Sequence, residues 1–232
     1  SNHTPITMQA GNNLARRVDS NRDGDGWPSM GSIAAKFHGS NDPSLPPFVA
    51  LADSLKADVG GAGHMGGAFE PIQGSTLAGR LNLPEGLNIE SLRDRDGLRQ
   101  GFDKLQRTFD ANGTLEKMDQ SNAQAMDLVL TGKAKQAFDL DKESEKLRDT
   151  YGRDSIGEKA LLARRLVEAG VTFVVVSGAW GYFDHHGDEV KWGGIVKGLK
   201  PLLPRVDRVL HTFISDLEAR GLSDSTLVYM MG

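Results

Sequence analysis

The sequence predicts an α/β domain, a mainly parallel sheet flanked by helices, with a helical insertion at about 90–150. Three observations carry that prediction. Residues 171–176, Val-Thr-Phe-Val-Val-Val, form an uncharged run rich in β-branched side chains, the pattern of a strand buried on both faces of a parallel sheet. A helical apolar pattern through Leu161, Leu162, Leu166 and Val167 leads into it across the single Gly170, the place where glycine closes a helix. Beyond it, Val206, Val209, Leu210, Phe213, Ile214 and Leu217 form an apolar stripe, followed after Gly221 by a second strand-like run at 226–231. The unit strand, helix, strand would then close with its two strands parallel.

Taken in order, residues 1–30 are polar and turn-rich, with a short helix expected at 8–18. Asp19-Ser20-Asn21-Arg22-Asp23-Gly24-Asp25-Gly26 fits the first half of a calcium loop. The bidentate Glu at its twelfth position would fall on Met30, however, and an Asp/Asn/Gly-rich surface turn uses the same letters. Trp27-Pro28-Ser29 precedes a helix expected at 30–37, and a Pro-rich connection leads to a short strand at 47–51. Gly61-Ala62-Gly63-His64-Met65-Gly66 matches G-x-G-x-x-G literally. A dinucleotide fingerprint must open a helix, whereas Pro71 follows with no amphipathic pattern between. The stretch therefore reads as a flexible loop, beside a site or at the surface.

Residues 88–149 turn charged and helical, with Leu92, Leu98, Phe102, Leu105 and Phe109 near helical spacing. Their charge runs read as solvated helix faces of a subdomain over or beside the sheet. Ser155-Ile156-Gly157-Glu158 reads as a capping box. Gly193, Gly194 and Gly198 leave 192–203 ambiguous, Pro204 suits a first helical turn, and Asp216 with Arg220 forms a favourable i,i+4 pair.

Composition narrows the partners. A net charge of −4 and a pI near 5.9 supply no electrostatic footprint for nucleic acid. No apolar run approaches the ~20 residues of a membrane span. Cysteine is absent, which excludes disulfides, thiolate ligands and a Cys nucleophile. The chain opens on Ser1-Asn2-His3 without a signal-peptide pattern and stops at Met230-Met231-Gly232, just after a strand-like run. The expectation is a single domain over 1–232, truncated at both ends.

The chemistry-bearing stretch is Asp184-His185-His186-Gly187-Asp188, shortly after the 171–176 strand. Open α/β sheets place their chemistry at the carboxyl ends of strands, and Asp with His is a usual ligand set for zinc and similar ions. Such an ion needs three or four ligands, so others must come from other strand ends; a polar, solvated loop accounts for the spacing equally well. His38 and His211 read as exposed or structural. His64 sits in the glycine loop, where it could face a site, with no partner visible in the sequence.

Several stretches together carry a family resemblance. They are Lys135-Gln136-Ala137-Phe138-Asp139-Leu140, Arg148-Asp149-Thr150-Tyr151-Gly152-Arg153, Leu162-Ala163-Arg164-Arg165-Leu166-Val167-Glu168-Ala169-Gly170-Val171 and the Asp184-His185-His186-Gly187 loop. With Trp27-Pro28-Ser29-Met30-Gly31-Ser32 and the 221–232 ending, they resemble the bacterial domain of unknown function numbered 1501, a sulfatase-like branch of the alkaline phosphatase superfamily. The resemblance implies an alkaline-phosphatase-like fold and a metal-dependent hydrolase of phosphate or sulfate esters, with a small-molecule ester as substrate. It implies a divalent metal ion (zinc, manganese or calcium) held by Asp184 and His186 of an Asp-x-His-Gly loop. His185 fills the variable position between them, usually not a ligand, and completes the candidate set.

Asn2-His3-Thr4 and Ala10-Gly11 resemble the segment just after the nucleophile of related phosphodiesterases. That places the nucleophile before Ser1 and makes His3 and Thr4 the candidate catalytic residues, Thr4 as a substitute nucleophile. The first-strand acidic ligand and the later Asp-His region of the family are missing, so the chain as it stands is expected to have little or no catalysis. Relatives are often exported, implying a periplasmic or extracellular bacterial protein. The competing classes are a non-catalytic binding or structural protein that retains the sulfatase-like fold, and a calcium-binding surface module using Asp19, Asn21 and Asp23.

Overall fold

The fold is organised on Phe48–Leu51 (β1), four residues that are all buried. The computed structural model describes residues 9–11, 26–52, 59–74, 133–177 and 194–231. Within them β1 is the middle strand of a three-stranded sheet, between Ile72–Gln73 (β2) and Phe173–Val176 (β3). Both pairings are parallel, with Val49 opposite Ile72 and Leu51 opposite Val176. The protein is α/β, with a small parallel sheet flanked by helices.

Alternation along β1 builds two cores. Phe48 and Ala50 pack with Ala35 of Met30–His38 (α1) and with Val59, against Phe173 and Val175. Val49 and Leu51 pack with Leu45, Ala137, Ala163, Leu166 and Val171, on the face covered by Lys133–Phe138 (α2) and Ser155–Ala169 (α4). Each fully buried Val, Leu or Phe contributes about 1.5–3 kcal/mol, so the sheet is held from both faces. A third cluster, Tyr151, Ala160, Leu161 and Val209, joins Glu145–Tyr151 (α3), α4 and Leu203–Ala219 (α6). The short Gly194–Leu199 (α5) precedes α6 and accounts for the described start of the ambiguous stretch. No helix among the described residues is long and apolar enough to cross a membrane.

Three expectations are corrected. β3 is half-buried rather than buried on both faces, and Val176 is 40% exposed. It is an edge strand of the described sheet, and the strand covered on both sides is β1, whose short sequence gave the weaker signal. Residues 226–231 form no strand; Leu227 is 91% exposed and Tyr229 68%. β-branched and aromatic residues suit a pleated, half-buried surface, but the described sheet gives this run no neighbour. The cap of α4 is Asp154, whose side chain accepts from Gly157 N at 3.0 Å, so Ser155 is already helical. At the described end of the expected insertion, Ala137 is buried in the core beneath the sheet. Residues 75–132, with most of that insertion, lie outside the described residues.

Other boundaries agree with the pattern. Ser29 caps α1, Gly170 closes α4 in the left-handed conformation, and Pro204 stands in the first turn of α6. Asp42, in the loop before β1, accepts from Ser44 N at 2.9 Å, Ser44 Oγ at 2.6 Å and Lys133 Nζ at 2.6 Å. Its neighbour Asn41 donates to Gly170 O at 3.1 Å. One loop thereby ties α2 to the α4–β3 junction.

Two outcomes follow. A Cβ at Gly31 would run into the Phe48 ring. Gly31→Ala should therefore destabilise by about 1–3 kcal/mol through overpacking, against the ~1 kcal/mol gain expected at an open helical site; urea denaturation reads the sign. The bond from Lys133, followed by those from Ser44, holds the Asp42 carboxyl down to about 2. A depressed folded-state value gives stability that is present above the ordinary carboxyl range and lost as pH falls through the folded value. An NMR titration should find the Asp42 midpoint near 2, and Lys133→Met should raise it.

Candidate functional site

Parallel pairing sends the carboxyl ends of β1 and β3 to one edge. Ser177 N donates to Leu51 O at 3.2 Å, and Lys159 Nζ of α4 donates to Ser177 O at 3.3 Å. The exit of β3 is thus fixed by the central strand and by the helix that feeds it. Gln73 Nε2 donates to Ala52 O at 3.1 Å, bracing the adjoining end of β1. Ser177 is the last described residue before the expected metal loop. Asp184, His185, His186 and Asp188 lie outside the described residues, as do His3 and Thr4 and the expected calcium ligands Asp19, Asn21 and Asp23.

The glycine loop after β1 is laced to the segment entering α1. Ser29 N donates to Gly61 O at 2.9 Å, and His64 N donates to Gly26 O at 2.9 Å. Ala62 N donates to Glu70 Oε1 at 2.9 Å, closing the loop on itself. Gly63 has φ of +51°, and a Cβ there would strike the Gly26 carbonyl, so the approach requires glycine. The loop forms two 3₁₀ turns, Gly63–Met65 and Gly67–Phe69, rather than opening an α-helix. It therefore lacks the helix N-terminus on which a dinucleotide site depends, in line with the sequence reading.

His64 is the exposed side chain that this lacing holds in place. Its Nδ1 lies 3.2 Å from Gly26 O, and its ring meets that of Trp27 edge-on, with centroids 6.0 Å apart and planes at 84°. This partner is a backbone carbonyl 38 positions away, which no sequence pattern announces. His38 and His211 are exposed, as expected. Among the described residues no three His, Asp or Glu side chains converge as a metal group would require.

The main electrostatic feature lies behind the sheet. Arg164 of α4 is fully buried, with Nη2 2.7 Å from Glu143, Nε 2.9 Å from Asp216, and Nη1 paired with Glu168. The Nε and Nη2 contacts lie off the hydrogen-bond directions and act as charge pairs. Arg220 reaches Asp216 at 2.8 Å and Glu168 at 2.9 Å, and Arg165 pairs with Glu143 while donating to Ala137 O at 2.9 Å. Tyr151 Oη donates to Asp216 at 3.0 Å. Burial is the largest influence on Glu143 and would raise its carboxyl, but Arg164 and Arg165 together hold it below the usual range. Burial, then the Asp216 carboxylate, pushes the Tyr151 phenol well up.

Three guanidiniums face three carboxylates here, so the cluster carries no free charge for a ligand. It joins α4, α6 and the α2–α3 connection, and thereby places the helix that delivers β3. The sequence reading assigned such charges to solvated faces; Glu143 is only 9% exposed in its side chain. A signal was present, since Arg164 stands four residues after Ala160 and three after Leu161, on their buried face. A cleft of about 310 Å³ beside the cluster is lined by Lys133, Gln136, Lys142, Arg165 and Glu168. Arg165 and Lys133 are already engaged by Glu143 and Asp42, which leaves little charge for an anion.

A family model described as "Protein of unknown function (DUF1501)" matches residues 3–232. No curated protein and no solved structure matches the chain.

Arg164→Ala would strand Glu143 and Asp216 with weakened partners, at an expected cost of about 3–5 kcal/mol. Equilibrium urea unfolding measures it, and a loss below ~1 kcal/mol would show that the cluster is not a keystone of the packing.

Proposed function

We propose a function from one premise, that this chain belongs to the DUF1501 family of proteins of unknown function: it is a metal-dependent hydrolase of phosphate or sulfate esters, with a sulfatase-like fold of the alkaline phosphatase type. The observation that supports this most is the exit of β3. The strand ends in register with β1, is pinned at Ser177, and leads within seven residues to Asp184-His185-His186. Parallel α/β sheets carry their ligands at that edge.

In this reading Asp184 and His186 hold a divalent cation, and His185 is the remaining candidate in the loop. A carboxylate with imidazole suits zinc or manganese, with calcium favoured by oxygen-only sets. When bound, the cation supplies charge stabilisation at the ester oxygens. His3 and Thr4 belong near the attacking group, Thr4 offering a hydroxyl oxygen and His3 a nitrogen that can take its proton. The described residues contribute position: α4 and β1 fix where β3 ends, and the Arg164 cluster fixes α4. Residues 1–232 are taken as one unit, with 90–150 inserted in it.

Calorimetric titration with zinc and with manganese tests the reading. Binding on the order of micromolar, about −8 kcal/mol, is expected for the parent and lost in both Asp184→Ala and His186→Ala. A folded parent that binds neither metal would favour the non-catalytic binding or structural class.

A further inference from the structure

Helix α1 buries Gly31, Ser32 and Ala35. Its outer side is not the polar face that a surface helix normally shows. Ile33 is 38% exposed, and Phe37, one turn further on, is 75% exposed. Lys36 stands beside them, its ammonium 5.9 Å from the Phe37 ring centre and 5.8 Å from that of Phe69 in the glycine loop. Two aromatic rings thus share one cation at the surface.

That cation is unanswered locally. Among the described residues Lys36 pairs with no carboxylate, and the sequence of α1, Met-Gly-Ser-Ile-Ala-Ala-Lys-Phe-His, contains no acidic residue. Asp42, the next acid along the chain, is engaged by Lys133. Glu70, which follows Phe69, accepts from the Ala62 amide.

We propose that this face of α1 docks on an anionic lipid surface, with Phe37 and Ile33 entering the boundary between headgroups and acyl chains and Lys36 meeting lipid phosphates. A lysine beside apolar side chains suits that boundary, because its stem lies along hydrocarbon while its head stays in water. A stable protein partner asks for roughly 800 Å² of matched surface on each side, and lysine is depleted at such interfaces. One face of a nine-residue helix offers far less area. The whole chain carries a net charge of −4, so attraction to an anionic surface must come from this patch and not from the protein at large.

Co-sedimentation of the chain with vesicles of phosphatidylglycerol and phosphatidylcholine, against vesicles of phosphatidylcholine alone, tests the assignment. Binding is expected to the mixed vesicles and should weaken as salt is added. Lys36→Gln should weaken it about five-fold, the worth of one such charge near an anionic membrane. Phe37→Ser should weaken it about ten-fold through lost apolar burial, while Phe37→Trp retains it. Because Phe37 is exposed, both variants should keep the urea midpoint of the parent. Absence of binding to the mixed vesicles overturns the proposal, as does binding that is equal for both compositions or unchanged in Phe37→Ser. A parent that binds no vesicle but sediments as a dimer, with Phe37→Ser a monomer, overturns it in favour of a second copy of the chain.

Discussion

A fully buried guanidinium in the middle of α4 constrains much of the described structure. Arg164 has no access to water, and an isolated charge in that position would cost several kcal/mol. Its carboxylates must therefore be delivered by neighbouring elements: Glu143 from the α2–α3 connection, Asp216 from α6, and Glu168 one turn along α4. Satisfying one side chain fixes the relative placement of the helices that lie behind the sheet. Since α4 runs through Gly170 into β3, the same requirement reaches the sheet edge. The cluster does no chemistry in this account; it sets where the chemistry can be.

The parts of the fold legible in the sequence were those decided locally. Gly170 is followed so closely by β-formers that the helix-to-strand junction could be placed within a residue or two. The stripe from Val209 to Leu217 found α6, although Ile214, a member of that stripe, is 46% exposed. Pro204 marked the first turn for a steric reason that needs no tertiary context. What misled the reading was non-local. The run at 171–176 is richer in β-branched residues than Phe48–Leu51, yet β1 takes the central position because α1 covers one of its faces and α2 with α4 the other. Residues 226–231 have equally strong β-formers and form no ladder, since strand pairing is a property of two segments and propensity belongs to one.

The candidate site divides along the same line. Asp184 and His186 were visible because ligand types cluster in sequence, but spacing alone cannot supply their partners. His64 was visible only as an unpaired histidine in a glycine loop. What distinguishes it is a carbonyl brought from Gly26 by the lacing of 26–29 onto 60–64. Arg164 was hidden for a different reason: a charged residue on a helix is solvated far more often than buried, and only its register with Ala160 and Leu161 tells against that.

The exposed run from Leu227 to Met230 bears on how the molecule behaves in concentrated solution. Residues 226–231 contain no charge and no proline, the two features that most often stop a solvent-facing β-prone stretch from templating another like it. Asp224 is the nearest ionised side chain. Intermolecular pairing through this run is second order in protein, so its rate rises with the square of concentration, and its hydrophobic component strengthens on warming from the cold. Shelf life should accordingly be governed by these few residues rather than by the stability of the sheet, and a single lysine introduced at Tyr229 would lengthen it without touching the core.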